Sequence, residues 1–419
     1  MKQTSFVDCH AHVYGTGYKM LHPKLDGAQG INEVVEILAC GLRVRPTGEW
    51  LIARGWDQNK WGEKVFPDRA DLDGLSTDIP IALIRIDGHA MWCNSKALES
   101  AKINRNSVSQ FGGEILKTST GEPTGILLDE AMQLIYKILP IENEASITRT
   151  LRTGLEEFAN YHVGVHDMGI PAEWWEPYKK LYASEGNSLI HASVFLDMSK
   201  ASGKKLFLEK MKGGEFNDSP HPNLKLVGIK LYLDGALGSR GAQLFEEYSD
   251  DPGNVGLSLM DDSEALELMQ LAAKNDLIIA IHAIGDKANH RALNLFSQIL
   301  TPNTQHLAPS ARFRIEHAQI MREDDLIRFK DLGVTAVIQP QFFASDRKWA
   351  IDRLGADRMK NAYRWKSLLN AGIHVLGSSD SPVEDADPLR AIELLQTRDG
   401  IDDGEAISKE QAVKLYLDY

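Results

Sequence analysis

The chain has 419 residues, 43% of them hydrophobic and 25% charged, which is globular composition with room for one large domain or two to three ordinary ones. A net charge of −13 argues against nonspecific nucleic-acid binding, which needs a basic surface. Three cysteines (Cys9, Cys40 and Cys93) without a CxxC pair give no basis for a disulfide framework or a structural zinc site. No apolar leader or bilayer-length run is visible, so the expectation is a cytoplasmic protein without a membrane partner.

The first predicted strand is SFVDCHAH, ending in His10 and His12. Side chains at i and i+2 of a strand share a face, so two imidazoles would aim at one point. That suits a metal, although a chain with 13 histidines also places two close together by chance.

The next predicted strand, GVHDMG (Gly164–Gly169), lies roughly 150 residues on, far too many for one crossover. The intervening EWLIARGWDQNKW is rich in Trp and turn residues. IPIALIRIDGHAMWCNSKAL reads as a strand, a loop and a helix start, and GGEILKTSTGEPTGILLD as a hairpin around Gly121. Residues 43–140 are therefore expected to form an inserted subdomain covering the mouth of a main body made from 1–42 and 141–419. ITRTLRTGLEEFANYH supplies the helix that re-enters that body.

From there one theme repeats, a short apolar run followed by a helical pattern. The runs are LIHASVFL (Leu189–Leu196), LVGIKLYLDG (Leu226–Gly235), LIIAIHAIGD (Leu277–Asp286), FRIEHAQ (Phe313–Gln319), VTAVIQP (Val334–Pro340) and IHVLGSSDSP (Ile373–Pro382). DDSEALELMQLAAKN, ANHRALNLFSQIL, REDDLIRFKDLG and WKSLLNAG read as helices between or beside them. Alternation of this kind implies parallel pairing through right-handed crossovers, which fits either an open doubly wound sheet or a closed barrel. Eight strands is the count that closes a (β/α)8 TIM barrel, the fold expected here.

A barrel collects its C-terminal strand ends at one mouth. His10 and His12 end the first strand, Lys230 lies inside the fourth, and His282, His317 and Asp380 end the fifth, sixth and eighth. Such N and O donors suit Zn, Fe, Mn or Ni more than Ca or Mg. Each residue also has a plainer reading. The histidines would serve as hydrogen-bonded core residues, and Asp380 in SSDSP as a turn or cap. A buried Lys230 either pairs with an acid such as Asp234 or loses its proton and reacts with carbon dioxide to give a carbamate.

The motifs FVDCHAH, GIKLYLDGALGSR, IHAIGD, RIEHAQ and GSSDSPVEDADPL together resemble the amidohydrolase superfamily. RGWDQNKW, DLDGL, IRIDGHAMWCNSKAL and GEPTGILLD extend the resemblance to its family-3 branch, which includes N-substituted formamide deformylases. The resemblance covers nearly the whole chain and is specific to branch rather than to substrate. It implies a divalent metal, zinc foremost, as one or two ions, held by His10, His12, His282, His317 and Asp380, with Lys230 as a carboxylated bridging lysine. Relatives carry flanking strands that form a small β-sandwich. Here about five residues precede the first strand and the chain stops at KLYLDY, so that sandwich is expected to be missing or truncated.

The expected reaction is hydrolysis of a non-peptide C–N bond, of amide or formamide type, in a small-molecule substrate by metal-activated hydroxide, with Asp380 as the proton acceptor. His89 in DGHAMWCN would bond the substrate carbonyl or oxyanion, Trp92 would wall the pocket, and Arg240 would pair with an anionic substrate group. Asp286 and Glu316 would orient ligands. The alternatives for these are a local structural role for His89, surface exposure for Arg240, a helix cap for Asp286 and an outward strand position for Glu316. Deamination or cyclic-amide hydrolysis on the same site, and a noncatalytic ligand-binding role, are the competing functions. A homo-oligomer is left open.

Overall fold

The computed structural model describes residues 6–42, 50–109, 111–139, 143–213, 216, 219–300, 312–401 and 404–417. Strand β1 (Phe6–Ala11) opens a first sheet. A second sheet follows, built from β2 (Leu51–Trp56), β3 (Ile81–Arg85), β4 (Ala90–Cys93), β5 (Gly113–Lys117) and β6 (Pro123–Asp129). The chain then returns to the first sheet with β7 (Val163–Ile170), β8 (Ala192–Asp197), β9 (Leu224–Tyr232) and β10 (Ile278–Ala283). β11 (Phe313–His317), β12 (Thr335–Ile338) and β13 (Val375–Gly377) complete it.

The first sheet runs β1-β7-β8-β9-β10-β11-β12-β13, every pair parallel. All eight strand runs read from the sequence are present, and the sheet curls into a nearly closed (β/α)8 barrel. One apolar layer joins the strands to the surrounding helices, with Val165, Val194, Ile229, Ile279 and Ile315 packed with Leu155, Phe158, Leu268, Phe296 and Phe329. This is what continuous apolar strands paired with one-sided apolar helices must do to leave water.

The seam between β1 and β13 is sealed by other means. Val7 N donates to Tyr416 O at 2.9 Å and Gly377 N to Leu415 O at 2.9 Å, so the C-terminal segment lies across both edge strands. Tyr416 is only 2% exposed, and a methyl group on Gly377 would meet its ring at 2.4 Å. Glycine at 377 lets that ring pack against the strand. Beyond β13 the backbone stays bound to β1: Asp380 N donates to His10 O at 2.8 Å, and His12 N to Ser381 O at 2.7 Å. The eighth strand thus ends at Gly377, shorter than its sequence run, and the loop after it delivers Asp380 to the first strand.

The second sheet runs β2-β3-β4-β6-β5, with β2 and β3 parallel and the rest antiparallel. The hairpin at Gly121 is present, its φ of +86° being one that glycine adopts without a steric penalty. The loop and helix start expected after β3 contain a further strand, β4. Trp92 packs edge-on against Trp56 and Trp61 at 6.0 and 6.3 Å in a cluster that also takes in Leu25, Val34 and Leu38 from upstream. The ends expected for the insert, Arg43 and Pro140, lie outside the described residues. Among the described residues no helix is long and apolar enough to cross a membrane.

Candidate metal centre

His10, in β1, donates from Nδ1 to Glu316 Oε2 at 2.5 Å, which leaves Nε2 as an acceptor, met by Lys230 Nζ at 3.4 Å. His317 Nδ1 lies 2.8 Å from Gln339 Oε1. The orientation of that amide follows from its other end. Ser378 Oγ gives its proton to Ile338 O, so Gln339 Nε2 must be the donor to Ser378 Oγ, and Oε1 faces His317. His317 is therefore a donor at Nδ1, with Nε2 free. Fixing one imidazole nitrogen by a buried acceptor is how a metal-ligating histidine is held in tautomer and orientation.

His10, His317 and Asp380 each offer one ligand atom, and the three atoms lie within 4.8 Å of one another in buried surroundings. The His282 and His317 rings are 4.4 Å apart, and those of His10 and His317 4.9 Å. Asp380 Oδ1 lies 3.1 Å from His12 Nε2 and 3.4 Å from His10 Nε2. Neither approach is aligned as a hydrogen bond, so that oxygen is a buried acceptor without a donor. A carboxylate oxygen left in this state among lone-pair nitrogens fits a cation. His317 and Asp380 also hold positive φ values, +74° and +57°, a backbone cost concentrated at the strand ends that aim these side chains.

The electrostatics suit the same occupant. Burial, reinforced by the Lys230 ammonium, pulls His10 well below its ordinary range. Burial and the neighbouring histidines do the same to His282, and burial lowers His317 to about 4. All three are neutral imidazoles at physiological pH, the form that binds metal. Burial works against the Asp380 carboxylate, yet attraction to the protonated form of His10, together with His12 beside it, overrides burial and holds it well below the usual carboxylate range.

Lys230 is fully buried in β9, with Nζ 3.4 Å from His10 Nε2 and 5.0 Å from the Tyr232 ring centre. Burial lowers it to about 8 against the pull of Glu316 and Asp380. Asp234 is not its partner: that carboxylate accepts from Gln243 N, Ile284 N and Gly285 N at 2.8–3.0 Å.

The remaining candidates separate. His89 joins the centre, its ring 5.3 Å from that of His282, and its Nδ1 lies 2.5 Å from Asp129 Oδ1. Glu316 faces inward and holds His10. Trp92 is buried on the opposite side of β4, in the tryptophan cluster, with its indole N–H donating to Asp68 O at 2.9 Å. Arg240 is spent on Asp250, at 3.0 and 3.2 Å, and Asp286, the first residue of its helix rather than its cap, accepts from Phe245 N at 3.0 Å and Lys287 N at 2.9 Å. The structure brings neither of them to the histidines. Sequence reasoning missed Arg314, Gln339 and Asp129. Arg314 had a visible signal, a second charge two residues before Glu316 in an apolar strand; the other two act only across the fold.

A cavity of about 50 Å³ adjoins the centre, lined in part by Asp57, Arg85 and Asp87 from the second sheet and by Phe342, Asp346 and Trp349 from the barrel. Phe342 stacks on His317 at 6.0 Å, so this wall starts at the histidine cluster.

One pH effect follows from the His89 pair. Burial disfavours the imidazolium, but the adjacent Asp129 carboxylate wins and raises His89 to about 9 from 6.5. A pKa raised by folding contributes stability that is complete below 6.5 and lost as pH climbs through 9. Urea midpoints of the native chain are expected to fall across that window, and those of His89→Gln to stay flatter; parallel curves would refute the ion pair.

A family model described as an amidohydrolase family, Amidohydro_3, matches residues 5–416. The Bacillus subtilis protein YtcJ is 33% identical over 99% of this chain and 78% of its own length. The N-substituted formamide deformylase of Arthrobacter pascens is 23% identical over 98% of this chain and 77% of its own. An uncharacterized metal-dependent hydrolase from Pyrococcus furiosus superposes with a TM-score of 0.73 at 30% identity, covering 99% of this chain and 80% of that one.

Proposed function

The chain belongs to the amidohydrolase family, and on that premise we propose that it is a metal-dependent hydrolase cleaving a non-peptide C–N bond, of amide or formamide type, in a small molecule. The observation that carries the reading is the orphaned Asp380 oxygen among neutral, oriented histidines. The bond type draws support from the formamide deformylase relative.

His10, His12, His282, His317 and Asp380 would hold the divalent cation, zinc being the natural choice for this donor set. When bound, it supplies Lewis-acid polarisation of the amide carbonyl and an acidified water. Lys230 is the candidate for carboxylation, since a buried amine lowered to about 8 is partly deprotonated near neutral pH, the form that adds carbon dioxide and releases a proton. Asp380, ionised throughout the neutral range, accepts the proton of the attacking water and returns it to the leaving nitrogen. Glu316 keeps His10 presented, and His89 meets the substrate carbonyl oxygen. The apolar ring of Phe342 keeps water from one side of His317. Buried free thiols at Cys9 and Cys93 support a reducing cytoplasmic setting.

Metal analysis with an activity screen tests this. Exhaustive chelation is expected to abolish hydrolysis of N-substituted formamides and amides, and stoichiometric zinc to restore it. Turnover that survives complete removal of metal would sink the reading. Ammonia release from aminated heterocycles without amide turnover would shift it to deamination, and bound metal without turnover of either substrate class to a binding protein.

A further inference from the structure

Asp129, the last residue of β6, carries three features that a surface-joining acid would not need. Its backbone sits at φ 45°, ψ −120°, a conformation an ordinary residue adopts only at a steric cost. One carboxylate oxygen binds His89 Nδ1 at 2.5 Å, while the other, Oδ2, is buried without a hydrogen-bond partner. That second oxygen fits against two glycines of the loop after β9: a methyl group on Gly235 would lie 2.8 Å from it, and one on Gly241 2.9 Å. Gly235 N and Gly241 O bond to each other at 3.1 Å, so the two glycines are tied as one wall.

The antiparallel register of β4 and β6 pairs Ala90 with Leu128, which places His89 beside Asp129, and Asp129 N donates to His89 O at 3.0 Å. His89 is thereby gripped through its main chain and its ring at once. With Nδ1 occupied, Nε2 is the nitrogen left to face the cluster that contains His282.

We propose that Asp129 is a positioning residue of the catalytic centre: it fixes His89 with Nδ1–H bonded to its carboxylate and presents Nε2 to the substrate held over the histidine cluster. This rests on the hydrolase reading above. The strained backbone and the paired glycines place the carboxylate, the carboxylate places the imidazole, and the imidazole touches substrate. A mere tie between the two sheets would hold the fold and leave turnover alone.

The test uses the full-length, metal-loaded chain. Proton NMR should show strongly deshielded imidazole N–H resonances, and the one assigned to His89 should disappear in His89→Gln and also in Asp129→Asn while that of the His10–Glu316 pair remains. With an N-substituted formamide as probe, Asp129→Asn should lower kcat about 100-fold with KM changed less than about threefold and metal content unchanged. Asp129→Glu should restore part of kcat. Gly235→Ala, which pushes the carboxylate without removing its charge, should reduce kcat in the same direction. The proposal falls if the His89 resonance is absent from the native chain, if it survives Asp129→Asn, or if kcat is retained while only stability drops. A native chain that binds metal but hydrolyses no amide would instead count against the hydrolase reading, and the resonance then judges the Asp129 pairing by itself.

Discussion

Replacing Asp380 by Asn is expected to lower kcat by about a hundred- to ten-thousand-fold. The amide keeps the shape of the carboxylate but cannot take a proton from water, and it is a poorer donor to a cation. The backbone should tolerate the change, because Asn also adopts the left-handed φ of +57° found here, and the Asp380 N to His10 O bond that seats the loop is unaffected. Bound metal and kcat must be measured on one sample. Loss of turnover with metal retained assigns the proton step to this residue; full turnover removes it from the reaction.

Arg314→Leu is expected to cost about 3–5 kcal/mol of stability, read as a lowered urea midpoint. Arg314 is fully buried in β11. Its guanidinium bonds Glu316 Oε1 at 2.5 Å and Glu316 Oε2 at 3.0 Å, meets His166 Nδ1 at 2.9 Å, and donates to Cys9 O. Removing it strands the Glu316 carboxylate in a medium that solvates charge poorly. The double variant Arg314→Leu with Glu316→Leu should recover most of that loss. It should also bind metal about 10- to 100-fold more weakly, because His10 Nδ1 then has no carboxylate to donate to. A single variant as stable as the native chain would refute the account.

The barrel was readable because its strands are short apolar runs ending in His, Gly or Asp, and these local signals survive folding. The ligand candidates were readable for the same reason, since residues at strand ends of a barrel meet whatever their separation in sequence. What could not be read were the partners set by register between strands. Gln339 reaches His317 across the β11–β12 step, and Asp129 reaches His89 through a hairpin whose second strand had not been recognised. The sequence motif suggests a pocket role for Trp92, but strand alternation separates it from His89: Ala90 and Trp92 share the tryptophan cluster, and Met91 and Cys93 turn the other way. Arg240 shows the opposite limit, because a loop cation's partner depends on a turn ten residues away.

The parallel pairing of Phe6 with Val163 has a consequence for the growing polypeptide. During synthesis the first strand must wait for everything in the second sheet to emerge before it has a neighbour, and Asp380 arrives later still. Long-range closure of this sort is slow and entropically unfavourable until the final pieces are present. A ribosome-bound fragment that stops short of Asp380 therefore exposes isolated imidazoles but no complete chelating cage, so ion capture is deferred until that loop has emerged and the cylinder can shut.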